Sequence, residues 1–280
     1  MNGAWRRLAT DLPALLALGV VALFVGAALL ADLLAPHDPL AIDLSSNYLP
    51  ASPAHLLGTD HLGRDTFSRL LVGARVSLTI ALVATLAGLL VGATLGLVAA
   101  WRRGATEGAI MQVVDVLLSF PDMLLAIAVA AILGRGVSST IVAVAIFSVP
   151  IFARLVRASA QAVVNADFIL ASRAAGASAS RVLLRHVLPQ CYAPLLAQGT
   201  ITLGSAILFA SGLSFLGLGV QPPDPEWGAM LSRGRELLRS SPLGAVAPGV
   251  AITMVVLSFS LVGDGLKDAL DPRHAGRPRQ

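Results

Sequence analysis

The sequence predicts an all-α membrane protein of six transmembrane helices with both ends on the cytoplasmic side. Three observations predict it. Charged residues make up 13% of the 280 positions and apolar residues 56%, against about 25% charged in an average soluble domain. Mean hydropathy is +0.79. The apolar residues gather in long uncharged runs separated by charged segments. Such a chain is neither disordered, which needs low hydrophobicity and high charge, nor a single soluble domain, for which it has too little polar surface.

A helix needs about 20 mostly apolar residues to cross a bilayer. Leu12 to Ala31, Val76 to Ala100, Gly136 to Ala153 and Ser240 to Gly263 are uncharged. Val113 to Leu133 is apolar apart from Asp115 and Asp122, and Val187 to Pro223 is uncharged but too long for one helix. These give six spans. With the N-terminus inside, 13 of the 20 basic residues fall on inner segments and 7 on outer ones, which is the usual cytoplasmic bias. The first span follows Arg6 and Arg7 like a signal peptide, but its 20-residue run exceeds the usual h-region of about 7–15 residues, so it reads as an anchor. The chain divides into an N-terminal anchor with an external loop (1–75), a membrane core (76–265) and a cytoplasmic tail (266–280).

Between the spans, 35–75 reads as an external loop, rich in Pro, Asp and His at first and then carrying Gly58-Thr59-Asp60-His61-Leu62-Gly63-Arg64-Asp65. Its two aspartates and His61 invite a metal reading, but Thr and Asp hydrogen bonds shaping a turn are the expectation. The second span carries Gly88, Gly92 and Gly96, a spacing that lets two membrane helices approach closely. The inner segment 154–189 is Ala-rich and helical in character, with Gly176 breaking it and Leu188-Pro189 closing it. An amphipathic helix is expected from Gly228 to Arg239, and Trp227 beside Pro222-Pro223 reads as an interfacial anchor.

Several chemistries are missing. A phosphate-cradling loop needs a Gly-Lys pair, and the one lysine, Lys267, follows Leu266. Ser211 has no histidine within a span to activate it, because the five histidines (37, 55, 61, 186 and 274) all lie outside the runs counted above. Asp115 and Asp122 share a helix face at about 10 Å along the axis, too far to share a proton. Cys191 stands alone, which excludes an internal disulfide and a cysteine metal cluster. The net charge of +4 reads as loop charge, with no nucleic-acid surface.

Five motifs remain, and together they carry a resemblance. The inner loop reads Asp167-Phe168-Ile169-Leu170-Ala171-Ser172-Arg173-Ala174-Ala175-Gly176, then His186-Val187-Leu188-Pro189. It resembles the EAA loop of ABC-importer permeases through Ala171, Gly176 and Leu188-Pro189. Leu170 stands for that loop's glutamate, Ser172 for its second alanine and His186 for an isoleucine. The external segment Gly58 to Asp65 with Ser68-Arg69 and Gly73 to Leu78, the third-span Phe120-Pro121-Asp122, and Leu213 to Pro223 followed by Trp227-Gly228-Ala229 are similar to the C-type permease of dipeptide, oligopeptide and nickel importers. Gly263-Asp264-Gly265-Leu266 and Asp271-Pro272-Arg273 match its C-terminus.

The resemblance implies a type I ABC-importer permease in the inner membrane of a bacterium. The chain would form half of the translocation path beside a homologous second permease. Two cytoplasmic ATPases, carrying ATP and Mg, would dock on the inner loop, and an external binding protein would deliver a di- or oligopeptide. Nickel, glutathione, an opine or a sugar are alternative cargos. Within the chain no catalytic residue, cofactor or metal is implied. Asp167, Phe168, Ala171, Arg173, Ala174, Gly176, Leu188 and Pro189 would couple to the ATPase. Pro121, Asp122, Ser211 and Ser214 are the candidates for the path or its gate, although Pro121 could instead unwind the helix so that Asp122 starts its next piece. The rival readings are an ion-coupled carrier using Asp115 and Asp122, and a hydrolase around Ser211.

Overall fold

The computed structural model of the protein describes residues 10–238 and 241–270. The basic residues Arg6, Arg7, Arg239, Arg273, Arg277 and Arg279, Ser240 at the expected start of the last span, and the Asp271-Pro272-Arg273 motif lie outside them. The described residues form a bundle of helices and carry no strand. Among the described residues five helices are long and apolar enough to cross a membrane, or six if one sharply bent pair is a single broken span.

Helix α1 (Leu12–Leu29) is capped by Asp11, which accepts a hydrogen bond from the Ala14 N–H, and has Pro13 in its first turn. A short turn, α2 (Ala31–Leu34), follows. The external loop then leads into α3 (Thr66–Arg102). At 1.5 Å per residue α3 is about 55 Å long, so it starts ten residues before the expected span and reaches beyond a hydrocarbon core of about 30 Å. It runs unbroken across position 75, where the sequence reading divided loop from core. Asp65 starts it by accepting from the Ser68 N–H at 2.8 Å.

The expected third span is not one helix. It is α4 (Gly104–Ser119) and α5 (Asp122–Leu133), bent by 96° at Phe120-Pro121. Both break residues adopt extended backbone angles, as the residue before a proline prefers. Helix α6 (Val137–Val164) passes eleven residues beyond the expected span end. The inner segment is α7 (Asp167–Ala174), α8 (Ala179–Val182), a π turn (Leu183–Val187) and a 3₁₀ turn (Leu188–Cys191). Helix α9 (Tyr192–Phe215) ends well before Pro223, which resolves the overlong fifth run. The external helix α10 (Trp227–Gly234) and a 3₁₀ turn (Arg235–Leu237) stand where an amphipathic helix was expected. The last helix, α11 (Leu243–Leu270), runs past residue 265.

Among the described residues two large apolar cores sit along the bundle, beside a small cluster of Ala14, Ala269 and Leu266. One joins Ile80, Ala84, Val144, Ile207, Leu213, Trp227 and Val255. The other, toward the inner end, joins Leu97, Phe152, Val156, Val164, Ile169, Val182 and Leu195. Outside both, leucines such as Leu16, Leu23, Leu82, Leu86, Leu90, Leu208 and Leu257 stand exposed, an apolar coat larger than water tolerates and suited to lipid.

The close approach of α3 and α6 depends on the glycine stripe. A Cβ on Gly88 would lie 2.5 Å from Ser148 Cβ, on Gly92 2.5 Å from the Val149 carbonyl oxygen, and on Gly96 2.5 Å from that of Ala153. Backbone cannot yield at those distances. Gly92→Leu is expected to push the two helices apart and to cost about 1–3 kcal/mol or more through overpacking. The check is thermal unfolding in detergent. Gly199→Ala is the control, since its nearest neighbour would be 4.0 Å away.

Candidate functional site: an inner docking helix and an outer lock

The inner site is built on α7. Its sequence leaves Asp167, Phe168, Leu170, Ala171, Arg173 and Ala174 exposed, and buries Ile169 completely in the inner core. Thus one side chain anchors the helix and the rest face outward. Asp167 opens the helix, where a negative charge suits the dipole. Arg173 lies over the Trp101 ring at the end of α3, 5.0 Å from its centre, a cation–π contact. Gly176 has φ +83°, a conformation that favours glycine. The Gly176 N–H reaches the Arg173 carbonyl at 3.0 Å and the Ala177 N–H that of Ser172 at 3.1 Å. This is a Schellman ending. Leu188 packs against the inner core and half-buried Pro189 begins the 3₁₀ turn below α9. The structure therefore gathers α7, Gly176 and Leu188-Pro189 into one inner face.

Ionic pairs brace the same end. Glu107 on α4 accepts from Arg157 Nε and from the Gln161 amide on α6, both at 2.6 Å. Asp115 pairs with Arg154 at 2.6 Å. Asp122, by contrast, is exposed at the first position of α5, directly after the bend, and Pro121 is exposed beside it. Asp115 and Asp122 consequently lie on different helices and do not share a face, which corrects the single-helix spacing expected above.

At the outer end lies a group that the sequence did not single out. Glu226, in the loop between α9 and α10 and outside the spanning helices, is fully buried. Its Oε2 accepts from the Ala229 N–H at 2.8 Å and so caps α10. Its Oε1 accepts from Ser77 Oγ at 3.2 Å and from Ser211 Oγ at 3.4 Å. The Ser77 hydroxyl accepts in turn from the Trp227 N–H, and Ser214 Oγ receives the Val220 N–H at 3.1 Å. Ser211 and Ser214, both buried, thus face this lock between α3, α9 and α10.

Trp227 also needs correction. It is fully buried, donates through Nε1 to the Leu70 carbonyl at 3.0 Å, and meets Phe24 edge-on at 5.7 Å. It is a core residue, not an interfacial anchor. A sequence signal existed in the Glu-Trp-Gly run ahead of an amphipathic helix, because a glutamate three residues before the third helical N–H can cap it. A Cβ on Gly228 would strike the Ser211 carbonyl oxygen at 2.1 Å, so only glycine lets α10 close on α9.

Burial pushes the Glu226 carboxyl up, and its hydrogen bonds only partly oppose this. A raised acid favours the neutral form in the folded state. The lock should therefore be most stable below the ordinary carboxylate range and weaken as pH rises through it toward the raised value. Glu226→Gln, which keeps an accepting oxygen for the Ala229 N–H, is expected to lose this pH dependence while matching the wild type in acid. Thermal unfolding followed from acidic to mildly alkaline pH tests it.

The external loop is held by the aspartates, as expected. Asp60 accepts from the Leu62 and Arg64 N–H groups at 2.8 and 3.1 Å and pairs with Arg64 at 2.7 Å. Arg69 donates to the Pro39 carbonyl at 2.8 Å. Arg75 ties α3 to α2 through Asp32 at 2.9 Å and to α1 through the Ala28 carbonyl at 3.0 Å.

Residues 88–276 match the family model described as the inner membrane component of binding-protein-dependent transport systems. The chain belongs to this family. Residues 1–51 also match the N-terminal transmembrane domain of oligopeptide transport permease C. The permease is 44% identical over 276 residues to a glutathione transport system permease of Pectobacterium atrosepticum, covering 96% of this chain and 90% of that one. It is 41% identical over 270 residues to a dipeptide transport system permease of Alkalihalophilus pseudofirmus, covering 96% and 89%. The fold resembles the MetNI methionine ABC transporter in inward-facing conformations, with TM-score 0.59 at 19% identity over 72% of this chain and 96% of that one. The chain is thus a multi-pass inner-membrane permease subunit with the type I ABC importer fold. Its family works with ATPase and binding-protein partners.

Proposed function

We propose that this permease forms one half of a peptide-conducting path and that α7 couples it to a separate ATPase. Two ATPases dock on the inner loops of two homologous permeases, with ATP and Mg held on those partners, and an external binding protein delivers the cargo. The observation that carries the reading is α7 itself: Ile169 is buried as a peg while Phe168 and Leu170 on either side stand half-exposed. An apolar pair displayed on a charged inner face fits a cleft in a partner. ATP-driven closure of that partner then moves α7, and the inner core transmits the movement to α3, α6 and α9 as rigid bodies. Asp167, Ala171, Arg173 and Ala174 complete the displayed face. Gly176, Leu188 and Pro189 fix its angle to α9.

Pro121 and Asp122 are assigned to the path. Irregular backbone at membrane depth is tolerated where it lines protein or a watery cavity, and the bent α4–α5 pair provides such a break. Ser211 and Ser214 are assigned to the outer lock instead, because their hydroxyls already face Glu226 and the loop. Di- or oligopeptides, glutathione included, are the cargo class, supported by relatives named for dipeptide and glutathione transport. The ends lie inside by the excess of basic residues on inner segments.

A pull-down from detergent-solubilised membranes tests this, comparing wild type with a Phe168→Asp, Gly176→Val double variant. Recovery of ATPases, a second permease and a binding protein, with the ATPases lost from the variant, is the expected result. Recovery of the chain alone, still transporting in ATP-free vesicles, would overturn it and favour an ion-coupled carrier.

A further inference from the structure

We propose that His37, His55 and Asp65 form a divalent-cation site, of the zinc type, that staples the external loop to the head of α3. The argument rests on this loop alone and not on the transport reading. The three residues come from distant points of the sequence, and each offers a ligand atom within 4.8 Å of the other two. His55 Nδ1 lies 2.9 Å from Asp65 Oδ1, and His37 Nδ1 lies 3.9 Å from Asp65 Oδ2. The loop brings them together by fixed contacts: the His37 backbone N–H donates to Ser68 Oγ at 3.1 Å, and the His55 N–H to Ser52 Oγ at 3.1 Å.

The two imidazoles stack with centres 4.7 Å apart at 30°, so the rings must turn for their in-plane nitrogen lone pairs to converge on one ion. Charge points to a cation rather than to a mere hydrogen-bonded cluster. Asp65 is 2% exposed, and its partners at 2.7–2.8 Å are the neutral Ser68 N–H and hydroxyl. Among the described residues the basic side chains within 4.0 Å of its carboxylate are His37 and His55, with no Arg or Lys. A buried carboxylate needs a compensating charge, and a metal held by two neutral imidazoles supplies it.

Tetrahedral donors sit about 3.4 Å apart, so the cluster must contract slightly. The His37 side chain, 42% exposed, is free to make that movement, and its open side leaves room for water as a fourth ligand. The consequence is mechanical: the metal would cross-link residues 37, 55 and 65 at the mouth of the permease. His61, which suggests a metal in the sequence, is no part of the cluster.

The test uses the assembled transporter purified without a polyhistidine tag, loaded with zinc chloride, desalted and assayed for metal by mass spectrometry. His37→Phe and His55→Phe keep an aromatic ring in the stack but remove the nitrogen ligand. The expected result is one zinc equivalent more in wild type and in His61→Phe than in either variant, with a zinc-induced rise in unfolding temperature that His37→Phe abolishes. Equal zinc in wild type and His37→Phe, or no zinc retained by wild type, would overturn the site. Because His37 is largely exposed, its variant should assemble normally, and an unchanged elution profile verifies that.

Discussion

Replacing Phe168 with Asp is expected to lower ATP-driven uptake at least tenfold while leaving the permease folded. Phe168 is 51% exposed on α7, so its loss removes little from the chain's own core. Its effect falls on the docked partner, where an aromatic filling a desolvated pocket is the usual centre of binding energy, worth about 2 kcal/mol or more. A carboxylate in such a pocket adds a charge that must be desolvated. Uptake into proteoliposomes and permease yield after size-exclusion chromatography, measured together, check the prediction. Loss of uptake with normal yield is the outcome expected. Full uptake would show that the exposed ring does no coupling.

The neighbouring substitution should behave in the opposite way. Ile169 is fully buried among Ala100, Val164, Val182 and Val187. Ile169→Asp places a carboxylate in an apolar core, a change costing several kcal/mol because no partner there can pair with it. The expected result is failure to accumulate in the membrane, read by immunoblot, with uptake lost as a consequence. Ile169→Val, costing about 0.5–1.5 kcal/mol, should restore both. Adjacent residues on one helix thus separate docking from folding.

Much of this was legible in the sequence because membrane insertion is written in composition. Six apolar runs, the basic bias and the missing phosphate loop need no tertiary knowledge. The inner helix could be read from Asp167 to Gly176 because its stop signal is local: a glycine taking a left-handed turn. The break at Pro121 was readable for the same reason, although its size, 96°, was not. That angle depends on how α5 packs against α6.

What the sequence hid was determined by long-range contacts. Trp227 follows two prolines and resembles an interfacial residue, yet the carbonyl of Leu70, 157 positions earlier, takes its indole N–H. Glu226 was not singled out from the sequence, because Ser77 and Ser211, which close on it, come from two different helices. Ser211 and Ser214 carry hydroxyls in an apolar helix, which suggests a path, and only the fold shows that these hydroxyls also meet Glu226 and the loop before α10. The lengths of α3 and α6 were underestimated because amphipathic extensions beyond the bilayer are not apolar enough to count as span.

The central claim is that an exposed helix on this permease hands movement to a separate ATPase. Site-directed cross-linking tests it most directly. In a Cys191→Ser background, which removes the buried native thiol, Phe168→Cys is treated with a short thiol-reactive cross-linker in membranes holding the whole transporter. The account predicts a single adduct containing the permease and an ATPase subunit, identified by mass spectrometry, that forms at Phe168→Cys and not at a lipid-facing control such as Leu86→Cys. Uptake sustained by a Phe168→Cys permease that yields no ATPase adduct would contradict it.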